Sequence, residues 1–399
     1  NRKAFPWKLV LGAVAIQFTF ALILFGIPII REALFAANIL VDSLIAATAY
    51  GTQFVFGPTF GTQAGWEELT GQPGPIFAVH LLPLIIVVAA LSAILWHWHI
   101  LRWVTKGFAT IFRKAMGLGG ATSLAVSANV FMGMTEAPVL VKPYLKGMTR
   151  SEIFILMVAG FSTVAGSVLV LYGVFLQDVL PNALGQLLAA SLIAAPAAVA
   201  LALVMIPETV DSKLRAHEPD FEYESTMDAF ATGASDGLKI LANIVTMLIA
   251  AFALLFLVNA GLGALPEVAG AKLSIERILG WIFAPIMYMV GVPMAEAAQS
   301  GSLIGIKTVL TEFVAFLQLA GEGGEGLSQR SSMITAHAIC GFANFGSIGI
   351  LIGGLSIIEP QRRTTFLELA WRTLLAGTLA TCVSGAVVGA LPAALFFGS

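Results

Sequence analysis

The sequence has few charged residues for its length. Only 11% of its 399 residues are Asp, Glu, Lys or Arg, whereas a soluble globular domain carries roughly 25%. Hydrophobic residues make up 58% of the chain, and the mean hydropathy is +0.91. Such a composition is not that of a soluble domain, and it predicts an all-α polytopic membrane protein in contact with lipid.

The small number of basic, cysteine and metal-binding residues excludes several kinds of function. The formal net charge is -2, so no basic excess is present for binding nucleic acid. The chain has two cysteines, Cys340 and Cys382, each in an apolar stretch, which excludes a disulfide framework and a Cys-ligated metal site. Its five histidines show no metal-binding spacing such as His-Glu-x-x-His. No cofactor is expected.

Seven apolar windows of about 20 residues predict membrane-spanning helices. They cover residues 9–30, 77–104, 153–175, 186–206, 238–262, 333–358 and 371–397. Two further apolar stretches, 109–145 and 279–317, are interrupted by Gly and Pro. Because non-helical backbone at membrane depth survives only inside protein or along a cavity, we expect re-entrant hairpins there. Residues 31–56 look amphipathic and are expected to lie along the interface.

Basic residues orient the chain. If the seven spans alternate and the interrupted stretches re-enter, they fall on one side, which is expected to be cytoplasmic. The residues are Arg2, Lys3, Lys8, Arg102, Lys106, Arg113, Lys114, Arg362 and Arg363. The polar stretch 208–228 falls on the same side, and we expect it to be a solvated linker between two halves.

The two halves of the chain resemble each other. Thr135-Glu136 lies in the first interrupted stretch and precedes GFSTVAGS (160–167), whereas Thr311-Glu312 lies in the second and precedes GFANFGS (341–347). An odd number of crossings separates the two hairpins, so they enter from opposite faces. This is the inverted-repeat plan of secondary transporters, with broken transmembrane helices and a site near the midplane.

The repeat suggests a division into five units. A scaffold with the interfacial helix covers 1–108, and the first transport repeat covers 109–207. A cytoplasmic linker at 208–236 and a scaffold span at 237–278 follow. The second transport repeat then covers 279–399.

Four segments resemble the signature segments of the concentrative nucleoside transporter family of bacterial type. They are SANVFMGMTEAPVLVKPYL (127–145), GVPMAEA (291–297), TEFVAF (311–316) and CGFANFGSI (340–348). The resemblance implies eight spanning helices, of which the first is expected to precede Asn1, and a homotrimer. It also implies a symporter, not an enzyme, that imports nucleosides across the bacterial inner membrane with Na⁺.

The resemblance also assigns substrate contacts. Carboxylate and amide groups suit the ribose hydroxyls, because the carboxylate accepts and the amide both donates and accepts. The implied ribose contacts are Glu312, Asn344 and Ser347. The implied base contacts are Gly133, Met134, Thr135 and Glu136 in the first hairpin, with apolar contacts from Val168, Ile240 and Phe342.

Alternatives to these contacts stay open on the sequence alone. Val168 and Phe342 are equally compatible with ordinary helix packing. The two glutamates are also compatible with hydrogen-bonded braces of the hairpins, although intramembrane carboxylates favour function. Met134 departs from the family, in which most members carry Gln. Because a thioether cannot replace an amide, the base preference is open.

The implied sodium site combines the side chains of Asn129 and Thr163 with the carbonyl groups of Met132 and Val164. Local capping of the backbone is the alternative for the two side chains. Proton coupling through Glu136 or Glu312 is the alternative to Na⁺. Less favoured are a passive channel and an intramembrane hydrolase that uses Ser162 or Ser347 with His337.

Overall fold

The structure is a computed structural model that describes residues 7–71, 74–208, 223–268 and 270–397. Arg2, Lys3 and residues 209–222 of the predicted linker lie outside the described residues. The described chain forms nineteen α-helices. Those of the first half are α1 (Trp7–Gly26), α2 (Pro28–Phe60), α3 (Gln63–Thr70), α4 (Leu84–His97), α5 (Ile100–Met116), α6 (Gly120–Asn129), α7 (Ala137–Leu140), α8 (Lys142–Leu145), α9 (Arg150–Ser162), α10 (Gly166–Leu176) and α11 (Ala183–Met205).

The second half begins with one very long helix. Its helices are α12 (Thr226–Gly263), α13 (Ile275–Val290), α14 (Met294–Val309), α15 (Glu312–Ala320), α16 (Gln329–Ile339), α17 (Phe345–Ile358), α18 (Arg363–Ala390) and α19 (Ala394–Phe397). A short π-helical turn, Phe77–Leu81, leads into α4, and a 3₁₀ turn, Pro360–Arg362, precedes α18.

Six described helical stretches are long and apolar enough to cross a membrane, and they correspond to six of the seven predicted spans. The remaining predicted span, 333–358, consists of α16 and α17, which are separated at residues 340–344. The span α9–α10 is also interrupted, at residues 163–165. Broken transmembrane helices are therefore present in both halves, as the sequence predicts.

Two amphipathic helices, α5 and α13, were not anticipated. The second span was expected to reach residue 104, but α4 ends at His97, and His99 adopts a left-handed conformation (φ 67°) that turns the chain into α5. Helix α5 buries Phe112 and Met116 and exposes Lys106 and Arg113. Strong apolar content up to residue 104 concealed this boundary, because Trp98, Ile100 and Trp103, which are exposed, continue the apolar run past the turn.

The same order of elements occurs twice. Each half has a helical stretch long enough to span a membrane, an amphipathic helix, a helical hairpin, a broken helix and another spanning helix. The first series is α4, α5, α6–α8, α9–α10 and α11, and the second is α12, α13, α14–α15, α16–α17 and α18. Helices α13 and α14 are bent by 116° at their junction. The predicted inverted-repeat architecture with two hairpins is confirmed.

Two glycines allow α4 and α12 to pack closely. A Cβ atom at Gly233 would lie 2.7 Å from Ala93 Cβ, and one at Gly237 would lie 2.7 Å from Ile86 Cα. Small residues four positions apart allow this approach between membrane helices. The C-terminal half of α12 exposes large apolar residues, including Phe256 and Leu257, and is available to lipid or to another protein surface.

The two broken helices meet in the interior. A Cβ atom at Gly341 would lie 2.8 Å from the carbonyl oxygen of Phe161 and 2.7 Å from Thr381 Cγ2. Helices α9, α11, α16 and α18 surround this crossing, and α9 and α11 are almost completely buried. The packing places both interruptions side by side, inside the protein.

Candidate functional site

The tip of the first hairpin is fixed to the break between α9 and α10. Thr163 Oγ1 donates a hydrogen bond to the carbonyl oxygen of Asn129 at 2.7 Å, and the carbonyl oxygen of Ala159, at 3.0 Å, is within reach of the same proton. The first amide of α10, that of Gly166, donates to the carbonyl oxygen of Phe131 at 3.0 Å. The tip and the break therefore form one unit.

A polar atom is left unpaired beneath this tip. Asn129 is 1% exposed, and its Nδ2 donates to the carbonyl oxygen of Ala125 at 3.0 Å. Its Oδ1 has no hydrogen-bond partner in the described part of the chain. Because buried polar atoms are rarely unpaired, this oxygen suits a bound cation.

The surroundings of Asn129 also suit a cation. Asn129 ends α6, and Thr163 directly follows α9. The C-terminal ends of helices present free carbonyl groups and favour positive charge. The side-chain oxygens at this place, Asn129 Oδ1 and Thr163 Oγ1, are neutral, as suits Na⁺. Met132 lies in the tip, and Val164 is buried at the break.

A second polar network lies at the tip of the other hairpin. Glu312 is 5% exposed and is the first residue of α15. Its Oε1 accepts a hydrogen bond from Tyr172 Oη at 2.9 Å, and its Oε2 accepts one from Asn344 Nδ2 at 2.9 Å. Asn344 caps α17, where its Oδ1 accepts from the amide of Ser347 at 2.7 Å. The network thus combines both repeats.

Between the two hairpin tips lies a cavity of about 210 Å³. The structure brings every predicted substrate residue to its wall. Those residues are Gly133, Met134, Thr135, Glu136, Val168, Ile240, Glu312, Phe342, Asn344 and Ser347. At the first hairpin, Glu136 Oε2 accepts a hydrogen bond from the amide of Gly133 at 3.1 Å.

Several wall residues were missed by the sequence interpretation. They include Tyr172, Asn243, Met247 and Thr311. Tyr172 lies four positions after Val168 and Asn243 three positions after Ile240, so helical spacing places each on the same face as a predicted contact. That spacing was the available signal. Thr311 caps α15 by accepting a hydrogen bond from the amide of Val314 at 3.3 Å.

A second cavity lies between the first hairpin and the helices α4 and α12. It shares Thr135, Glu136 and Ile240 with the first cavity and is also lined by Asp236 and Tyr223. Burial, together with the nearby carboxylates of Asp236, Glu136 and Asp228, raises the pKa of Tyr223 to about 12. The Tyr223 hydroxyl group therefore keeps its proton near neutral pH. Thr135 and Glu136 separate the two cavities.

In the part of the chain that it describes, the structure does not pair the residues that the alternative function, an intramembrane hydrolase, would need. His337 Nε2 lies 3.2 Å from Gln186 Oε1, and Ser162 Oγ donates to the carbonyl oxygen of Val158. Ser347 contributes its amide to the cap by Asn344. Within the described residues neither serine is hydrogen-bonded to His337, so the nucleophile and base that such an enzyme needs are not paired.

Comparison with protein families accounts for most of the chain. The model of the Na⁺-dependent nucleoside transporter C-terminus matches residues 186–389. The corresponding N-terminal model matches residues 1–59. A nucleoside-recognition gate model matches residues 78–178.

Relatives match over nearly the whole chain. An uncharacterized transporter of Haemophilus influenzae is 38% identical over 98% of this chain and 92% of its own length. Sodium/nucleoside cotransporter 1 of Mus musculus is 33% identical over 98% of this chain and 61% of its own length.

Solved structures show the same fold. The structure of CNTnw in an inward-facing, substrate-bound state has a TM-score of 0.87 at 35% identity, with 98% of this chain and 93% of that one covered. A variant of CNTnw in an outward-facing state has a TM-score of 0.89 at 35% identity, with 100% and 93% covered. By sequence and by fold, the chain belongs to the family of Na⁺-dependent nucleoside transporters.

Proposed function

We propose that this transporter imports nucleosides across the bacterial inner membrane, with the substrate in the cavity between the hairpins and Na⁺ beneath the first hairpin tip. One observation carries the proposal. The predicted substrate residues of both repeats line a single cavity, with the Glu312 network at one side and the strip Gly133–Glu136 at the other. Such a cavity suits a ligand with a hydroxyl-rich end and a flat, apolar end.

The Glu312 side of the cavity is proposed to bind the ribose. The carboxylate accepts from Tyr172 and Asn344, and an ionised carboxylate has further lone pairs for ribose hydroxyl groups. Hydrogen bonds to a charged acceptor are roughly twice as strong as neutral ones. Ser347 lies beside Asn344 on the same wall, where its hydroxyl group offers a further donor and acceptor.

The Met134 side is proposed to bind the base. Val168, Ile240 and Phe342 supply apolar walls for the ring, and Thr135 and Glu136 supply polar groups for its edge. Met134 is mostly buried and packs next to Gly160, where an added Cβ would lie 2.9 Å from Met134 Cβ. A thioether at this position offers an adaptable wall and no strong hydrogen bond.

Coupling is proposed to follow from the shared hairpin tip. Asn129 and Met134 belong to the same short segment, so an ion that orders Asn129 also orders the base-contacting strip. Binding of either ligand then favours binding of the other. One Na⁺ that enters with a neutral nucleoside would draw roughly 2.3 kcal/mol per 100 mV of membrane potential.

Alternating access is proposed to move the two transport repeats, 109–207 and 279–399, against a scaffold that includes 1–108 and 237–278. The exposed apolar side of α12 is available for contacts in a homotrimer, with lipid around the remainder. Residues 31–56, within α2, are proposed to lie along the membrane interface.

Uptake of radiolabelled nucleosides into proteoliposomes tests the proposal. Na⁺ and H⁺ gradients are imposed separately, and uptake is expected to follow the Na⁺ gradient. Uptake driven by a pH gradient alone would replace Na⁺ with protons as the coupling ion. Counterflow of labelled substrate distinguishes a carrier from a passive channel, because a channel shows no trans-stimulated exchange.

A further inference from the structure

Lys307 is a buried cation that the proposed transport cycle does not use. It lies on α14 and is 0% exposed. Its Nζ donates hydrogen bonds to Thr381 Oγ1 at 2.7 Å and to the carbonyl oxygen of Ala338 at 3.3 Å. Both acceptors are uncharged. Since a charge at membrane depth is expensive and is usually functional, this lysine requires an explanation.

The position of Lys307 in the second repeat parallels that of the candidate Na⁺ site in the first. Asn129 ends α6, the first arm of the first hairpin, and Lys307 lies in the last turn of α14, the first arm of the second hairpin. Thr163 directly follows α9, and Ala338 lies in the last turn of α16. Each position therefore lies between the ends of a hairpin arm and of the first part of a broken helix.

The same electrostatic effect favours a cation at this position in both repeats. The C-terminal ends of two helices meet at each position, and both the free carbonyl groups and the helix dipoles favour positive charge there. In the first repeat Asn129 Oδ1 is left without a partner among the described residues, so this oxygen can serve as a ligand of a mobile ion. In the second repeat the lysine ammonium group already binds the available oxygens.

The positive charge of Lys307 also lies near the negative charge of Glu312. It lies close enough to Glu312 for an electrostatic interaction with that carboxylate, although the two groups form no direct ion pair. Glu136 and Glu312 together bring two carboxylates to the cavity wall. One mobile Na⁺ and one fixed ammonium group supply two positive charges, so the loaded site is close to neutral.

We propose that the Lys307 ammonium group is a tethered cation that takes, in the second repeat, the position that the coupling Na⁺ takes in the first. Its presence removes the need for a second transported ion. This inference rests on the proposed function, because it concerns the number of Na⁺ ions that enter with each nucleoside.

Two variants at Lys307 test the inference in proteoliposomes, with ²²Na⁺ and labelled nucleoside fluxes measured together. Lys307→Ser removes the fixed charge and leaves oxygens that can bind Na⁺, so the ratio of Na⁺ to nucleoside should rise about twofold. Lys307→Met supplies neither charge nor oxygen, so its uptake should fall by at least about tenfold. Lys272→Ser changes an exposed lysine and should behave as wild type in both measurements.

Wild-type uptake distinguishes failure of the proposed function from failure of the tethered-cation proposal. If wild type shows no Na⁺-stimulated nucleoside uptake, the proposed function fails before Lys307 is considered. If wild type is active, and Lys307→Ser either keeps the wild-type flux ratio or fails to transport, the tethered-cation proposal is overturned. Wild-type uptake by Lys307→Met overturns it as well.

A further variant covers the case in which Lys307→Met does not fold. Lys307→Met combined with Glu312→Gln removes both buried charges, and it is tested by thermal unfolding in detergent with and without Na⁺ instead of by uptake. If Lys307 balances Glu312, the double variant should melt at a higher temperature than Lys307→Met and should still be stabilised by Na⁺. A double variant no more stable than the single one would show that Lys307 serves packing only.

Discussion

Asn344 and Glu312 are joined by a hydrogen bond of 2.9 Å from Nδ2 to Oε2, between the break in α16–α17 and the tip of the second hairpin. Tyr172 of the first repeat donates to the other carboxylate oxygen. A single charged acceptor therefore links three elements that are distant in sequence. Any displacement of the hairpin tip alters both bonds, so this network is suited to couple substrate binding to movement.

Glu312→Gln should reduce uptake severely and leave a folded protein. The amide keeps the shape but turns charge-assisted hydrogen bonds into neutral ones, and bonds to charged groups contribute about 1.5 to 3 kcal/mol each. Apparent nucleoside affinity is then expected to fall roughly 10- to 100-fold. The measurement is the concentration dependence of labelled uptake, with size-exclusion chromatography to verify folding.

Tyr172→Phe is the matched control, because it removes one donor from the same carboxylate and leaves the charge in place. It should reduce affinity less than Glu312→Gln does. Normal transport by Glu312→Gln would identify Glu312 as a brace of the hairpin and not a ligand.

Asn129→Ala and Thr163→Val should each raise the Na⁺ concentration needed for half-maximal uptake, by about tenfold or more, because each removes an oxygen from a small site. Sodium activation curves measure the effect. Ser127→Ala is the control on the same helix, since Ser127 Oγ only donates to the carbonyl oxygen of Ser123. Unchanged Na⁺ dependence in both test variants would argue for protons as the coupling ion.

Met134→Gln should change the ranking of bases and leave ribose discrimination as it is. Strong specificity arises when the wrong ligand leaves a buried polar group unpaired, and Met134 has no such group. The restored amide should shift relative affinities among uridine, cytidine, adenosine and guanosine by about 0.5 to 1.5 kcal/mol, or up to roughly tenfold. Competition against labelled uptake by each nucleoside and by its 2′- and 3′-deoxy analogues provides the measurement.

Met134→Leu is the matched apolar variant and should retain the wild-type ranking. If Met134→Gln also retains it, or if its altered preference concerns the sugar, Met134 does not contact the base.

Gly237→Ala and Gly261→Ala should change stability in opposite directions, although both lie on α12. A methyl group at Gly237 would meet the backbone of α4, and overpacking of this kind costs about 1 to 3 kcal/mol. Among the described residues, no atom beyond the nearby backbone of α12 itself lies within 4 Å of a Cβ at Gly261, where alanine improves helix propensity by up to about 1 kcal/mol. The measurement is the thermal unfolding midpoint of each variant in detergent. Equal midpoints for the two variants would mean that α4 and α12 do not pack as described.

The family, the inverted repeat and most spans could be predicted from the sequence, because apolar content and a few motifs are local properties. Thr135-Glu136 and Thr311-Glu312 indicate the hairpin tips. A carboxylate in an apolar stretch is costly and is therefore usually functional. The proposed substrate contacts followed from the resemblance. Tyr172 was missed because its helical spacing from Val168 is a weak signal within an apolar helix, and its partner Glu312 is 140 residues away.

Lys307 illustrates the difference between what the sequence determined and what only the tertiary structure decided. The sequence by itself determined that a lysine lies in an apolar stretch next to a hairpin motif, which is a local fact. Only the tertiary structure decided that α14, α16 and α18 converge on its ammonium group, with Ala338 and Thr381 as acceptors. Hydrophobicity acts through each residue alone, whereas the energy of a buried charge depends on which distant oxygens the fold brings to it.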